Sequence, residues 1–254
     1  MKFPEGKIIA FEGLDNCFKE TNFNTFVKHL RKEFPSAEII TESFPRYGNQ
    51  SCLGVEKWLD GSLDRSHLKN HPEAINSLYA MDRLCYWFES VHGTKRNIDK
   101  LYDSDESKPV CFIFDRYTVS NAIYNPMVND ITTIDDLQFD NNAFGIPQPD
   151  IVVWLRMDSF GTFKKLLAEK QNKDANEIDV DFLYKVWKRS EDLINTDAFK
   201  KLGIELIVVD VLSCTCTCNY KPWENRPMFK TKIELAKEIW KKIESVLDKK
   251  GELK

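Results

Sequence analysis

Five short apolar runs, separated by longer stretches with helical periodicity, limit the fold of this chain most strongly. The clearest is Ile151–Leu155 (IVVWL), an uninterrupted apolar run of the kind required by a parallel strand covered on both faces. The others are Lys7–Glu12, Ala37–Thr41, Val110–Phe114 and Glu205–Val211. Between them, apolar residues recur at helical spacing, as in Phe23, Phe26, Val27 and Leu30 and in Leu183, Val186, Trp187 and Ile194. Strand–helix alternation predicts an α/β fold: a doubly wound, five-stranded parallel sheet flanked by helices.

Composition agrees with one globular domain over residues 1–254, since 42% of the residues are hydrophobic and 30% are charged. The net charge of −4 gives no broad basic surface, so we expect no nucleic-acid partner. No apolar run is long enough to span a bilayer, so we expect no membrane partner. The seven cysteines are scattered except for Cys214, Cys216 and Cys218. Reduced thiols in a cytoplasmic protein explain them better than a disulfide framework or a three-thiol metal site.

The segment after the first apolar run has the spacing of a phosphate-binding loop. Ligands of such sheets bind beyond the carboxyl ends of the strands, and here Gly13 and Lys19 lie six residues apart between a strand and a helix. Phe18 stands where glycine usually precedes the lysine, and Glu20 where serine or threonine usually follows it. We expect Lys19 to point into the loop and the Phe18 ring to pack away from the phosphates. Glu20 is a possible ligand of a hard cation, with Thr21 as a substitute hydroxyl.

Two further segments follow strands, and a third lies on a predicted helix. They are Ser43–Gly48 (SFPRYG), Asp115–Tyr124 (DRYTVSNAIY) and Ser77–Arg83 (SLYAMDR). Tyr79 and Arg83 are four residues apart and share one helical face, so they are able to stack a base and pair with its polar edge. The spacing alone favours a core tyrosine beside a surface arginine.

Together these motifs resemble the thymidylate kinase family. The matching segments are FEGLD, FPRYG, LYAMDR, DRYTVSNAIY and GIPQPDIVVWL, in that order between Lys7 and about Asp210. The resemblance implies a P-loop kinase with a lid at about 170–181 that transfers the γ-phosphate of ATP to dTMP. The resemblance also implies dTDP as the product, Mg²⁺ as the cofactor, a homodimer, and a reaction that serves dTTP synthesis.

The resemblance also implies roles for the donor side of the site. Lys19 would bridge the donor β- and γ-phosphates, and Asp15 would contact the sugar 3′-hydroxyl or the metal. Arg116 would bind the acceptor phosphate, and Asp115 would organise the metal or its water. The implied ATP-binding set is Gly13, Asn16, Cys17, Phe18, Lys19, Glu20, Thr21, Lys170 and Lys173, and the implied metal ligands are Asp15, Glu20 and Glu177.

On the acceptor side, the resemblance implies a pocket wall of Phe44, Pro45 and Tyr47, with a cis Phe44–Pro45 peptide and Arg46 as a weaker candidate. Base recognition would come from Tyr79 by stacking and from Arg83 and Asn121 by hydrogen bonds. Tyr124 would pack against the deoxyribose, where a 2′-hydroxyl would clash.

Three functions fit these residues: an active dTMP kinase, a nucleotide-binding pseudoenzyme or regulatory protein, and a kinase for another deoxynucleoside monophosphate such as dUMP. The retained Lys19, Asp115 and Arg116 favour an active enzyme. Phe18, Glu20 and a lid with lysines in place of arginines favour the second function.

Overall fold

The computed structural model describes residues 2–68, 70–90, 94–103, 108–124, 134–168, 179–212 and 229–251. The strands in these ranges are β1 (Ile8–Gly13), β2 (Glu38–Ser43), β3 (Val110–Asp115), β4 (Ile151–Arg156) and β5 (Glu205–Asp210). The helices are α1 (Lys19–Glu33), α2 (Leu53–Leu59), α3 (Arg65–Leu68), α4 (Pro72–Phe88), α5 (Asn97–Tyr102), α6 (Thr118–Tyr124), α7 (Ile134–Phe144), α8 (Phe160–Ala168), α9 (Val180–Ile194), α10 (Ala198–Lys201) and α11 (Lys232–Gly251), with a short 3₁₀ turn at Gln50–Cys52.

The five strands form one parallel sheet in the order β2-β3-β1-β4-β5. Each strand begins and ends within two residues of its predicted bounds. The predicted doubly wound α/β fold is therefore confirmed. The order places β1 between β3 and β4, so the segments after β1 and β3 leave the sheet side by side.

Burial of the sheet on both faces explains the uninterrupted apolar runs. Along β1, Ile9 and Phe11 join a core cluster with α1, α9 and α11, whereas Ile8 and Ala10 join a second cluster with α4. Alternate side chains of a strand point to opposite faces, so a strand covered on both faces must be apolar at every position.

The helices that follow the strands bury the apolar stripes that their spacing predicted. In α1 the buried residues include Phe23, Phe26, Val27 and Leu30. In α9, Arg189 is buried as well, and its Nη1 donates to the Ile123 carbonyl at 2.7 Å, which ties α9 to α6. No helix in the described ranges is both long and apolar enough to cross a lipid bilayer.

Gly13, the last residue of β1, is a position where the packing requires glycine. Its φ is +143°, and a Cβ there would lie 2.6 Å from the Leu155 carbonyl oxygen on β4. Real Cβ atoms do not approach backbone oxygen so closely, so any larger residue would push β1 and β4 apart.

We therefore expect Gly13→Ala to lower the free energy of unfolding by about 1–3 kcal/mol, the usual cost of overpacking. Chemical denaturation measures this. Gly161→Ala is the control, because Gly161 lies in α8 with only the Ser159 hydroxyl, at 3.8 Å, near its Cβ position. That change should be neutral or stabilising. Equal stability of the Gly13→Ala variant and the wild type would contradict the packing argument.

Candidate active site

Two cavities meet at the carboxyl edge of the sheet. The inner cavity has a volume of about 360 Å³, and the loop cavity beside it has a volume of about 550 Å³. Asp115, the last residue of β3, and Arg116, which follows it, line both cavities. The loop cavity is otherwise lined by Asn16, Phe18, Lys19, Glu20, Thr21 and Leu166.

The loop between β1 and α1 keeps a phosphate-loop backbone despite its altered sequence. Asn16 and Phe18 have left-handed backbones, with φ of 58° and 59°. A left-handed non-glycine residue costs roughly 1–2 kcal/mol. The Phe18 ring packs edge-on against Phe229 with 5.3 Å between ring centroids. The predicted packing of Phe18 on an apolar neighbour is therefore confirmed.

Lys19, the first residue of α1, points into this loop as predicted. Its side chain is buried, and Nζ donates to the Leu14 carbonyl at 2.5 Å. Burial lowers the pKa of Lys19, and the nearby Arg116 charge lowers it further. Both effects disfavour the ammonium form, and an anion in the loop cavity would favour it.

Arg116 is held by Asp15 and Tyr124. Its guanidinium forms a short ion pair with Asp15 and lies 5.3 Å from the Tyr124 ring centroid. The Tyr124 hydroxyl donates to the other Asp15 oxygen at 3.1 Å. Burial alone would lower the pKa of Arg116, but the neighbouring acidic groups, Asp15 first among them, together outweigh this effect and raise it. A permanently charged guanidinium therefore lies where the two cavities meet.

Glu12 is a site residue that sequence reasoning missed. It is fully buried, and its carboxylate accepts from the Tyr117 amide at 2.8 Å and from the Ser120 hydroxyl at 2.6 Å. Burial raises the pKa of Glu12, against these hydrogen bonds. Its contacts fix the turn that carries Arg116, which itself has a φ of 63°. The only signal in the sequence was a glutamate inside an apolar strand.

The far end of the inner cavity is polar. Tyr79 and Arg83, on one face of α4, both line it, as does Asn121 on α6. Arg83 is buried and forms a short ion pair with Asp140 on α7. The Asn121 amide also donates to Asp140, at 3.2 Å. Asp140 is a second residue that sequence reasoning missed.

The FPRYG segment forms the wall of the inner cavity. Phe44, Pro45 and Tyr47 line the cavity, and the predicted cis Phe44–Pro45 peptide is present. Arg46 does not line it, because its Nε donates to Asp82 at 2.9 Å in a largely buried ion pair. Arg46 therefore stabilises the wall from behind.

The carboxylates where the two cavities meet suit a magnesium ion that also binds substrate phosphates. They suit less well a metal ion held by protein ligands alone. Asp115 Oδ1 is buried without a hydrogen-bond partner in the described part of the chain, and burial raises the pKa of Asp115. Asp15 and Glu20 line the adjoining cavity walls. No group of three or more potential metal ligands occurs among the described residues. Mg²⁺ is often held by one or two carboxylates together with waters and substrate phosphates, so these residues fit it.

Some expected residues lie elsewhere. The Cys17 thiol is buried in the core and lines neither cavity, and burial raises its pKa to about 12. Cys17, Cys52, Cys85 and Cys111 are free thiols, as expected.

Residues outside the described ranges are Lys170, Lys173, Asp174 and Glu177 of the predicted lid, and Cys214, Cys216 and Cys218.

Comparison with known proteins agrees with this geometry. No protein-family model matches the chain. It is 24% identical over 213 residues to the thymidylate kinase of Schizosaccharomyces pombe, covering 84% of this chain and 87% of the relative. The structures of thymidylate kinases from Ehrlichia chaffeensis and Candida albicans superpose with TM-scores of 0.58 and 0.56, at 15% and 17% identity. Each covers 95% of this chain, and the alignments cover 100% and 92% of those structures. The resemblance to the thymidylate kinase family indicated by the motifs is confirmed.

The Phe18–Phe229 contact predicts a measurable effect on anion binding. If it stabilises the loop, Phe229→Ala should weaken binding of tripolyphosphate about threefold to tenfold, as an aromatic pair worth about 0.5–1.5 kcal/mol allows. Isothermal titration calorimetry measures this. Phe34→Ala is the matched control, because it removes a similar contact, Phe3–Phe34 at 5.3 Å, far from the loop. In a Phe18→Gly background, Phe229→Ala should have no further effect. An equal loss of tripolyphosphate affinity in Phe229→Ala and in Phe34→Ala would contradict the prediction.

Proposed function

We propose that the protein is a dTMP kinase, which transfers the γ-phosphate of ATP to dTMP and gives dTDP. The observation that carries this proposal is the junction of two cavities at Asp115 and Arg116. One cavity is built around a phosphate-loop lysine, and the other ends in groups suited to a base. The similarity to the S. pombe thymidylate kinase supports the same activity.

The inner cavity is proposed to bind dTMP. Tyr79 stacks on the thymine, while Arg83 and Asn121 bond to its polar edge, and Phe44, Pro45 and Tyr47 form the wall. Tyr124 packs against the deoxyribose and disfavours a 2′-hydroxyl. Arg116 binds the acceptor phosphate. When its guanidinium pairs with a phosphate oxygen in place of the Asp15 carboxylate, Asp15 becomes available to the sugar 3′-hydroxyl or the metal.

The loop cavity is proposed to bind the ATP phosphates, with Lys19 bridging the β- and γ-phosphates. In the transfer step an oxygen of the dTMP phosphate attacks the γ-phosphorus, and the bond from that phosphorus to the β–γ bridging oxygen breaks, giving ADP and dTDP. No protein nucleophile is needed, because the reaction depends on alignment and on cations around the transferred group. Lys19 and Arg116, which both line the loop cavity, supply two such cations.

A magnesium ion would be held by Asp115, with Asp15 and Glu20 as further candidates. When bound with ATP it neutralises part of the phosphate charge. Glu20 compensates for the missing loop hydroxyl only if a cation separates it from the phosphates, since two anions in contact repel. Glu177, in the lid, is a further proposed ligand, and Lys170 and Lys173 are proposed to contact ATP.

We also propose a homodimer. Leu53 at the start of α2 and Met81 on the neighbouring α4 are 51% and 44% exposed. Apolar side chains on adjacent helices suit a contact between copies of the chain. The cytoplasmic location expected from the sequence stays a prediction.

Arg116 provides the test of this function. We expect Arg116→Ala to lower kcat/KM for dTMP roughly tenfold to 150-fold, because a hydrogen bond to a charged group is worth about 1.5–3 kcal/mol. A coupled assay with ATP, Mg²⁺ and a panel of deoxynucleoside monophosphates measures it. The control, Arg96→Ala, removes an exposed ion pair with Asp99 and should leave the kinetics unchanged.

The same panel separates the alternatives. Phosphorylation of dUMP in preference to dTMP would identify a kinase for another acceptor. Binding of dTMP without turnover of any nucleotide would favour a regulatory protein. Unchanged kinetics in Arg116→Ala would contradict the role of Arg116.

A further inference from the structure

Asp140 lies behind the polar end of the inner cavity and outside every motif of the sequence. It is on α7, 2% exposed, and does not line the cavity. One of its oxygens accepts from Arg83 Nε, and the other accepts from Asn121 Nδ2 at 3.2 Å. Both of its partners do line the cavity. A single buried carboxylate therefore holds two polar side chains of the cavity lining, Arg83 and Asn121.

These bonds determine which way the Asn121 amide points. Its Nδ2 donates to Asp140 and to the Asn76 carbonyl, at 3.2 and 3.4 Å. A carboxylate paired with a guanidinium and a backbone carbonyl are both acceptors only. A flipped amide would place oxygen against oxygen at both contacts. Asn121 is therefore left with Oδ1, an acceptor, as the amide atom for a ligand.

Asp140 likewise determines what Arg83 offers. The ion pair uses Nε, and Nη2 is buried without a hydrogen-bond partner in the described part of the chain. A buried unpaired donor is costly, so its natural partner is an acceptor on a ligand in the cavity.

We propose that Asp140 is a positioning residue that fixes the donor–acceptor order of the base-recognition site. Arg83 presents the donor and Asn121 presents the acceptor. This order fits a pyrimidine whose carbonyl lies beside a ring N–H, as in thymine and uracil. Cytosine presents the reverse order, an amino group beside an unprotonated ring nitrogen. Its amino donor would face the Arg83 donor, and its ring-nitrogen acceptor would face the Asn121 acceptor. The identity of the ligand rests on the proposed function.

Asp140→Asn tests this inference, because it replaces one acceptor oxygen by a donor of the same shape. The contact with residue 140 then no longer opposes a flip of the Asn121 amide, and only the longer contact with the Asn76 carbonyl does, so the amide presents Nδ2 to the ligand more readily. Calorimetry without ATP measures the Kd values of dTMP and dCMP, so the result does not depend on catalysis. Wild type should prefer dTMP by at least about 100-fold, and the variant should lose about tenfold or more of that preference.

Asp135→Asn is the matched control, since Asp135 is exposed on the same helix, and it should leave the preference unchanged. If Asp140→Asn does not fold, Asn121→Ala decides the question, because it keeps the Arg83–Asp140 pair and removes only the acceptor. Asn121→Ala should weaken dTMP binding much more than dCMP binding. Equal weakening of both, or an unchanged preference in a folded Asp140→Asn variant, would overturn the proposal.

The two proposals fail in different ways. A wild-type protein that binds no pyrimidine nucleotide contradicts the proposed function. If wild type prefers dTMP and the Asp140→Asn variant keeps the same preference, only the role of Asp140 is contradicted.

Discussion

The parallel pairing of β1 with β3 determines where the reactive groups of this protein lie. The register sets Phe11 opposite Asp115, and the Arg116 amide donates to the Phe11 carbonyl at 2.9 Å. The two strands therefore end within two residues of each other, and the loop after β1 meets Asp115 and Arg116 at the end of β3. The shared lining of the two cavities follows from this pairing. The buried Glu12 supports it, because it joins the end of β1 to the turn after β3.

The altered phosphate loop keeps its shape because the free-energy cost of a left-handed Phe18 is similar in size to the gain from its contact with Phe229. A left-handed Phe18 costs roughly 1–2 kcal/mol, and an edge-on aromatic pair contributes about 0.5–1.5 kcal/mol beyond its apolar burial. The contact with Phe229 therefore offsets much of the cost of losing glycine. Lys19 remains directed to the Leu14 carbonyl, so the substitution at Phe18 changes how the loop is held and leaves its lysine in place.

The fold was predictable because its signals are local. An uninterrupted apolar run such as Ile151–Leu155 indicates a strand covered on both faces, and helical spacing identified α1 and α9. Some of the cavity-lining residues, such as Tyr79, Arg83 and Asn121, were named from the sequence for a different reason, since motifs such as DRYTVSNAIY place many candidate residues within a few positions. Their roles toward ligands remain proposals.

The residues that sequence reasoning missed act across long separations. Glu12 reaches Ser120, 108 residues away, and Asp140 reaches Arg83, 57 residues away. A lone acidic residue in a strand or helix resembles a solvated one until the fold shows its partner. Arg46 shows the converse, because its motif suggested a ligand contact while Asp82, 36 residues away, holds it in the wall.

We expect this altered loop to bind the phosphates of ATP through Lys19 and a magnesium ion. Calorimetric titration of ATP, with and without Mg²⁺, into wild type and Lys19→Ala tests it most directly. Wild type should bind ATP only with Mg²⁺, and the affinity of Lys19→Ala for ATP should be at least about tenfold weaker, because a charge-assisted contact to phosphate is lost. Wild-type protein that binds dTMP but no ATP under any metal condition would contradict it.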